Sequence, residues 1–147
     1  KNIKLLNKLN AFLRNKSYLY MFIKGLGTDP SKRWFLNLKK EYNNINSIQI
    51  KKQFISLDNF SRKIESNLIV ILLPYEYQTR SCSKKILEPQ KKIIEILVNS
   101  KINYVDLTKY FCNQKKPKKN FYKFDPMHLS KSGHMLVFKR LKNEIDF

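Results

Sequence analysis

The feature that most constrains this chain is an unbroken apolar run from Leu68 to Leu73, which Pro74 ends. A run of this length is typical of a buried strand, and proline cannot donate to a β ladder. A strand that is apolar on both faces needs helices on both sides, as in a parallel sheet. The run therefore predicts an α/β domain with a parallel sheet.

The rest of the chain has the alternating pattern that such a domain requires. Apolar residues recur at three- and four-residue steps in several segments, and a second short strand follows the first. The predicted helices cover residues 1–24, 31–43, 50–66 and 86–99 and the C-terminal segment, the second strand covers 101–107, and a polar loop covers 75–85. We expect a single domain over residues 1–147 with no internal repeat.

Two strands are fewer than the five or so that a doubly wound sheet normally has. The chain also begins with Lys1 rather than Met. We therefore expect it to be the C-terminal half of a larger domain, with the N-terminal strands missing.

The charge is strongly positive, with 30 Lys and Arg against 11 Asp and Glu and a formal net charge of +19. Such an excess favours an anionic partner, and its one dense cluster is Lys115–Lys119. Most of the excess, however, is lysine spread among Asn and Ile, whereas nucleic-acid sites favour arginine and interleaved aromatics. We expect a solvated lysine-rich surface and no specific nucleic-acid site. A basic module that binds nucleic acid or another anionic polymer is the alternative.

The two cysteines, Cys82 and Cys112, are too few for a metal site or a disulfide framework. One bridge between them remains open, but the favoured interpretation is two free or buried thiols. No metal or cofactor is expected, and no apolar run approaches the roughly 20 residues of a membrane span. Localisation stays open.

The clearest chemical signal is Asp125 followed three residues later by His128. Histidine exchanges protons near neutral pH, and a neighbouring carboxylate can fix its tautomer and stabilise its cation. The pair lies in a predicted loop after the second strand, on the sheet edge where functional groups gather. Ser130 is predicted to cap the final helix, and His134 is expected to be structural.

The block Asp125-Pro126-Met127-His128-Leu129-Ser130-x-x-Gly133-His134, followed by an amphipathic helix, resembles the last conserved block of the SGNH (GDSL-type) hydrolase family. The strand that ends at Pro74 and the later Ile102–Leu107 strand fit the same family, and Phe12–Tyr20 is similar to a helical segment in bacterial members. The resemblance covers most of the chain and is most specific at the final block.

The resemblance implies a three-layer α/β/α flavodoxin-like sandwich and a Ser–His–Asp esterase or acyl-hydrolase. His128 would be the general base and Asp125 would orient it. The substrate would be an ester, commonly an acyl or acetyl group on a carbohydrate or lipid. Tyr75, Gln78 and Arg80 would shape the substrate cleft, although an ordinary exposed loop is the alternative for these three.

The chain departs from the family because it contains no Gly-Asp-Ser block, and Gly25–Asp29 resembles the Gly-x-Asn-Asp block only superficially. The nucleophile is therefore expected in the missing N-terminal half of the same domain. Ser81 and Ser83 lie on the correct rim but lack the strand-to-helix elbow that exposes a nucleophile. A catalytically inactive α/β interaction domain is a further interpretation.

Overall fold

The computed structural model describes residues 2–43, 46–123 and 125–144, which form a mixed α/β structure. The helices are α1 (Asn2–Lys16), α2 (Tyr18–Leu26), α3 (Pro30–Asn43), α4 (Ser47–Lys63), α5 (Glu76–Thr79), α6 (Glu88–Asn99), α7 (Thr108–Cys112) and α8 (Lys131–Glu144). The strands are β1 (Ile69–Leu72), β2 (Asn103–Asp106), β3 (Phe121–Tyr122) and β4 (Asp125–Leu129). A short 3-10 helix over Pro117–Asn120, here named the lysine turn, carries Lys118 and Lys119.

The two strands predicted from the sequence are present and pair in parallel. Ile69 lies opposite Asn103, and Leu72 lies opposite Asp106. Helix α6 lies between them in the chain and provides the long crossover that parallel strands require. The prediction of a parallel α/β unit is therefore confirmed for this part of the chain.

A second sheet corrects the sequence prediction of a long loop around Asp125. Strand β3 pairs antiparallel with β4, with Phe121 opposite Leu129. The loop prediction was wrong because Pro126 and the polar residues around it are typical of turns, whereas an edge strand tolerates proline. The described strands thus form two separate two-stranded sheets rather than one continuous sheet.

One apolar core joins the second sheet to the final helix. Leu107, Phe111, Phe121 and Leu129 form a buried cluster, against which Leu136 and Val137 of α8 also pack. The Phe111 and Phe121 ring centroids are 5.6 Å apart. This core fixes β4, and hence its polar side chains, relative to α7 and α8.

The beginning of α8 is anchored on the lysine turn. The hydroxyls of Ser130 and Ser132 each donate to the carbonyl oxygen of Lys119 at 2.6 Å. The Ser130 backbone N–H donates to the Asn120 carbonyl at 2.9 Å. Ser130 Oγ also accepts from the Gly133 N–H at 3.4 Å, which confirms the predicted cap. Three hydrogen bonds therefore tie the lysine turn to the segment that directly follows β4.

The predicted N-terminal helix is divided at Ser17, because the Ser17 hydroxyl accepts from the Tyr20 N–H at 3.1 Å and begins a new helix, α2. The predicted loop after β1 likewise contains a short helix, α5. Among the described residues no helix is long and apolar enough to cross a membrane.

The cover expected on both faces of β1 is incomplete in the structure. Ile71 within the strand is 39% exposed, and Leu73 just beyond it is 41% exposed. Large apolar side chains on α1, α2 and α4 are also exposed, among them Leu6, Phe12, Leu19, Phe22, Leu26 and Phe60. Part of the apolar surface that the sequence predicts to be buried thus faces solvent.

A disulfide joins Cys82 to Cys112, with their Cα atoms 6.0 Å apart. The expectation of two free or buried thiols was therefore wrong. Parallel pairing of β1 with β2 places the segments that follow the two strands side by side, although the cysteines are 30 positions apart in the chain. Sequence spacing alone does not reveal this proximity. The bridge ties the turn after α5 to the end of α7.

Replacing both cysteines, as Cys82→Ser/Cys112→Ser, should lower the free energy of unfolding by about 3–4 kcal/mol, because the bridge restricts the unfolded chain. Urea unfolding of the two proteins with and without reductant measures this. Reductant should destabilise the wild-type protein and leave the double variant unchanged. Equal stabilities under oxidising conditions would contradict the assigned bridge.

Gly133→Ala should destabilise the protein by about 1–3 kcal/mol, the usual cost of overpacking. A Cβ atom at this position would lie 2.1 Å from the Asn120 carbonyl oxygen, so the anchor of α8 would have to shift. Gly25→Ala is the matched control, since nothing lies within 4 Å of its Cβ position. Thermal unfolding should show a loss for the first variant only, and equal behaviour would contradict the close approach.

Candidate functional site

The side chains of Asp125 and His128, which are three residues apart in β4, are in contact. His128 Nδ1 lies 2.6 Å from Asp125 Oδ2. The other carboxylate oxygen, Oδ1, accepts from the backbone N–H groups of Met127 at 3.1 Å and His128 at 3.2 Å. The two side chains are therefore in direct contact. The carboxylate is held by three donors, two of which belong to the backbone.

The contact favours the ionised form of Asp125 and selects the tautomer of a neutral His128 ring. The hydrogen bond from the His128 ring, followed by that from the Met127 N–H, holds the pKa of the Asp125 carboxyl below its ordinary value. An ionised carboxylate only accepts hydrogen bonds, so Nδ1 of a neutral imidazole carries the proton. Nε2 then keeps its lone pair and can take a proton from a hydroxyl group.

The pair is open to solvent, with the His128 side chain 70% exposed and that of Asp125 42% exposed. Within residues 2–43, 46–123 and 125–144, no serine hydroxyl forms a hydrogen bond to His128. Ser81 and Ser83 are exposed in the turn after α5. The described part of the chain thus provides an imidazole in contact with a carboxylate but no serine hydroxyl bound to that imidazole.

Asp125 also borders a cleft of about 370 Å³. Its walls come from residues 29–31, from Glu76 and Arg80, and from the region between Lys118 and Asp125. Glu76 and Arg80 follow the carboxyl end of β1, which is where functional groups collect in parallel α/β structures. The cleft therefore lies at the predicted edge of the parallel sheet, although it is lined partly by the second sheet.

Arg80 is a fixed part of the cleft wall. Its guanidinium binds Glu76 through two hydrogen bonds, Nε to Oε1 at 2.8 Å and Nη2 to Oε2 at 2.6 Å. It also binds Asp29, with Nη2 3.1 Å from Oδ1 and Nη1 in contact with Oδ2. Glu76 and then Asp29 raise the pKa of Arg80, and Arg80 lowers the pKa of Asp29. Arg80 thus lines the cleft, and two carboxylates compensate its charge.

Tyr75 and Gln78, which were predicted to shape the cleft, do not line it. Gln78 is fully buried. Its Oε1 accepts from the Tyr75 N–H at 2.9 Å, and its Nε2 donates to the Ile86 carbonyl at 2.9 Å and to Gln90 Oε1 at 2.6 Å. The Tyr75 ring packs edge-on against Phe35, with centroids 6.4 Å apart. Gln78 on α5 and Tyr75, which directly precedes this helix, both pack inward and stabilise the loop.

Five further charged cleft residues were not assigned to the site from the sequence, namely Asp29, Glu76, Lys118, Lys119 and Lys123. Glu76 had a usable signal, because it follows the predicted strand end at Pro74 by two residues. Asp29 had none, since its partner Arg80 is 51 positions away. Lys118 and Lys119 were seen as part of a charge cluster, but their place beside Asp125 depends on the anchor at α8.

Ser31 lies in the cleft wall and is 5% exposed, and its Oγ has no hydrogen-bond partner among the described residues. A buried hydroxyl without a basic partner is not an activated nucleophile. The described residues also contain no group of three or more His, Cys, Asp or Glu side chains arranged to hold a metal ion.

No protein-family model matches this chain, and comparisons with curated proteins and with solved structures also found no match. The function of the site is therefore argued from its residues.

The Asp125 carboxyl should titrate below its ordinary pKa of 3.8. Because the folded-state pKa is lowered, its contribution to stability is present above the unfolded-state pKa and is lost as the pH falls through the folded value. Carbon-detected NMR titration of the carboxyl should show the pKa rise in His128→Ala and stay unchanged in His134→Ala. A pKa that is equal in wild type and His128→Ala would contradict the contact.

Proposed function

We propose that this chain is the C-terminal part of an SGNH-type serine esterase or acyl-hydrolase, with His128 as general base and Asp125 as its orienting carboxylate. The observation that carries the proposal is the 2.6 Å contact between His128 Nδ1 and Asp125 Oδ2. A carboxylate held by backbone donors and bound to one imidazole nitrogen leaves the other nitrogen for catalysis. The resemblance of the surrounding residues to the last block of that family adds to this support.

The chemistry follows from the state of the imidazole. His128 Nε2 takes the proton of a serine hydroxyl as the serine oxygen attacks the ester carbonyl. The resulting imidazolium is stabilised by the Asp125 carboxylate and returns the proton to the departing alkoxide oxygen. In the second half, Nε2 takes a proton from water, the hydroxide oxygen attacks the acyl-serine, and the proton goes back to the serine oxygen.

The exposed apolar surface supports the further proposal that an N-terminal half supplies the nucleophile. Among the described strands, β1 pairs only with β2 and has one free edge, next to the exposed side chains of Ile71 and Leu73. Free edges and contiguous apolar surface are normally covered in a folded domain. Additional parallel strands at this edge would produce the three-layer α/β/α sandwich and would carry the Gly-Asp-Ser block.

Expression of this chain together with its upstream reading frame should give an esterase that hydrolyses p-nitrophenyl acetate. His128→Ala should lower kcat/KM by about 10⁴, as expected for loss of the triad base. His134→Ala is the matched control and should stay within about twofold. If the upstream frame encodes no strand followed by Gly-Asp-Ser, or if His128→Ala leaves the rate unchanged, the proposal fails in favour of an inactive interaction domain.

A further inference from the structure

The lysine turn stands beside the Asp125–His128 pair, on the wall of the same cleft. Lys118 and Lys119 line the cleft that Asp125 borders. Lys116 and Lys118 also line an adjoining depression of about 570 Å³, together with Arg80. The segment from residue 107 to residue 124 contains six lysines and no acidic residue. The entrance to the site is therefore rich in positive charge.

The acidic groups of the cleft each contact a group other than these lysines, and the lining keeps a formal charge of +1, from Arg80 and three lysines against Asp29, Glu76 and Asp125. Asp29 and Glu76 both bind Arg80, and Asp125 binds His128. Lys118 and Lys119 are exposed, and no ion pair within the described residues involves either of them. The acids are thus paired with other groups, and the lysine amines face solvent at the rim of the cleft.

The lysine turn is also held in a fixed position relative to the base. The Lys119 carbonyl accepts from the hydroxyls of Ser130 and Ser132, and Ser130 comes two residues after His128. The close approach of Gly133 to Asn120 fixes the same contact. Side chains mounted on an anchored backbone lose less entropy when a ligand binds. This cluster therefore differs from lysines scattered over a mobile surface.

We infer that the cleft binds a negatively charged group of the ester substrate, a phosphate or a carboxylate, with Lys118 and Lys119 as the binding residues. Lysine is a compact point charge that suits both anions. The bound group is small, because the cleft has the volume typical of a small-molecule pocket rather than of a groove that follows a polymer. That the anion belongs to an ester rests on the proposed function, whereas the anion site itself rests on the cleft and its charge.

Binding of glucose 1-phosphate, glucuronate and glucose to the full chain, measured by ¹H–¹⁵N NMR titration, tests the inference. The phosphate or the carboxylate should shift the signals of the lysine turn, and glucose should not. Lys118→Gln/Lys119→Gln should weaken anion binding about tenfold, since each exposed charge contributes modestly. The matched control is Lys51→Gln/Lys63→Gln on α4, which removes the same charge and should change binding less than twofold.

Equal binding of glucose and its phosphate would overturn the inference, as would equal losses in the two double variants. The inference would also be overturned if only a single-stranded oligonucleotide bound tightly, with an affinity that increases with oligonucleotide length. That result would favour a nucleic-acid module. These titrations require no catalysis. If the chain binds anions but shows no esterase activity when it is expressed with its upstream reading frame, only the proposed esterase function is contradicted. If the chain expressed with its upstream reading frame hydrolyses neutral and anionic esters equally well, only the anion site is contradicted.

Discussion

Two backbone carbonyls, those of Lys119 and Asn120, hold the C-terminal part of this molecule together. They accept three hydrogen bonds from the start of α8. Because glycine has no Cβ atom, Gly133 can lie close to the Asn120 carbonyl. Each such bond contributes a net free energy of about 1 kcal/mol. Because β4 runs directly into this junction, the same contact sets the position of the imidazole and of the lysine side chains.

Features that depend on local sequence were predictable, and those that depend on distant partners were not. The Leu68–Leu73 strand follows from an apolar run, and the Asp125–His128 contact follows from a separation of three residues. The inward position of Gln78 depends on Gln90, twelve residues away, and the disulfide depends on parallel pairing of two strands. Strand β4 was not predicted because its partner, β3, is only two residues long and is too short to show the alternation of apolar and polar residues that is typical of a strand.

The two carboxylate contacts of the cleft differ in their exposure to water. The Arg80–Glu76 contact is partly shielded, because the Glu76 side chain is only 8% exposed, so solvent screens it less. The Asp125–His128 contact is largely hydrated, and water weakens the attraction between charges. A segment packed over this pair would exclude water and would strengthen the electrostatic stabilisation of an imidazolium by the Asp125 carboxylate. The first contact therefore maintains the wall of the cleft, whereas the second depends on whatever lies over it.

The Cys82–Cys112 bridge turns the chain between these residues into a covalent ring that contains α6 and β2. Six lysines lie within the ring, all of them exposed, in turns, on α6 and, for Lys109, on α7. A protease that cuts once after any of them opens the backbone but releases no fragment, because the sulfur–sulfur bond still joins both sides. The nicked protein keeps the mass of the intact chain plus one water until a reductant is added. Nicks elsewhere in the chain are not held in this way.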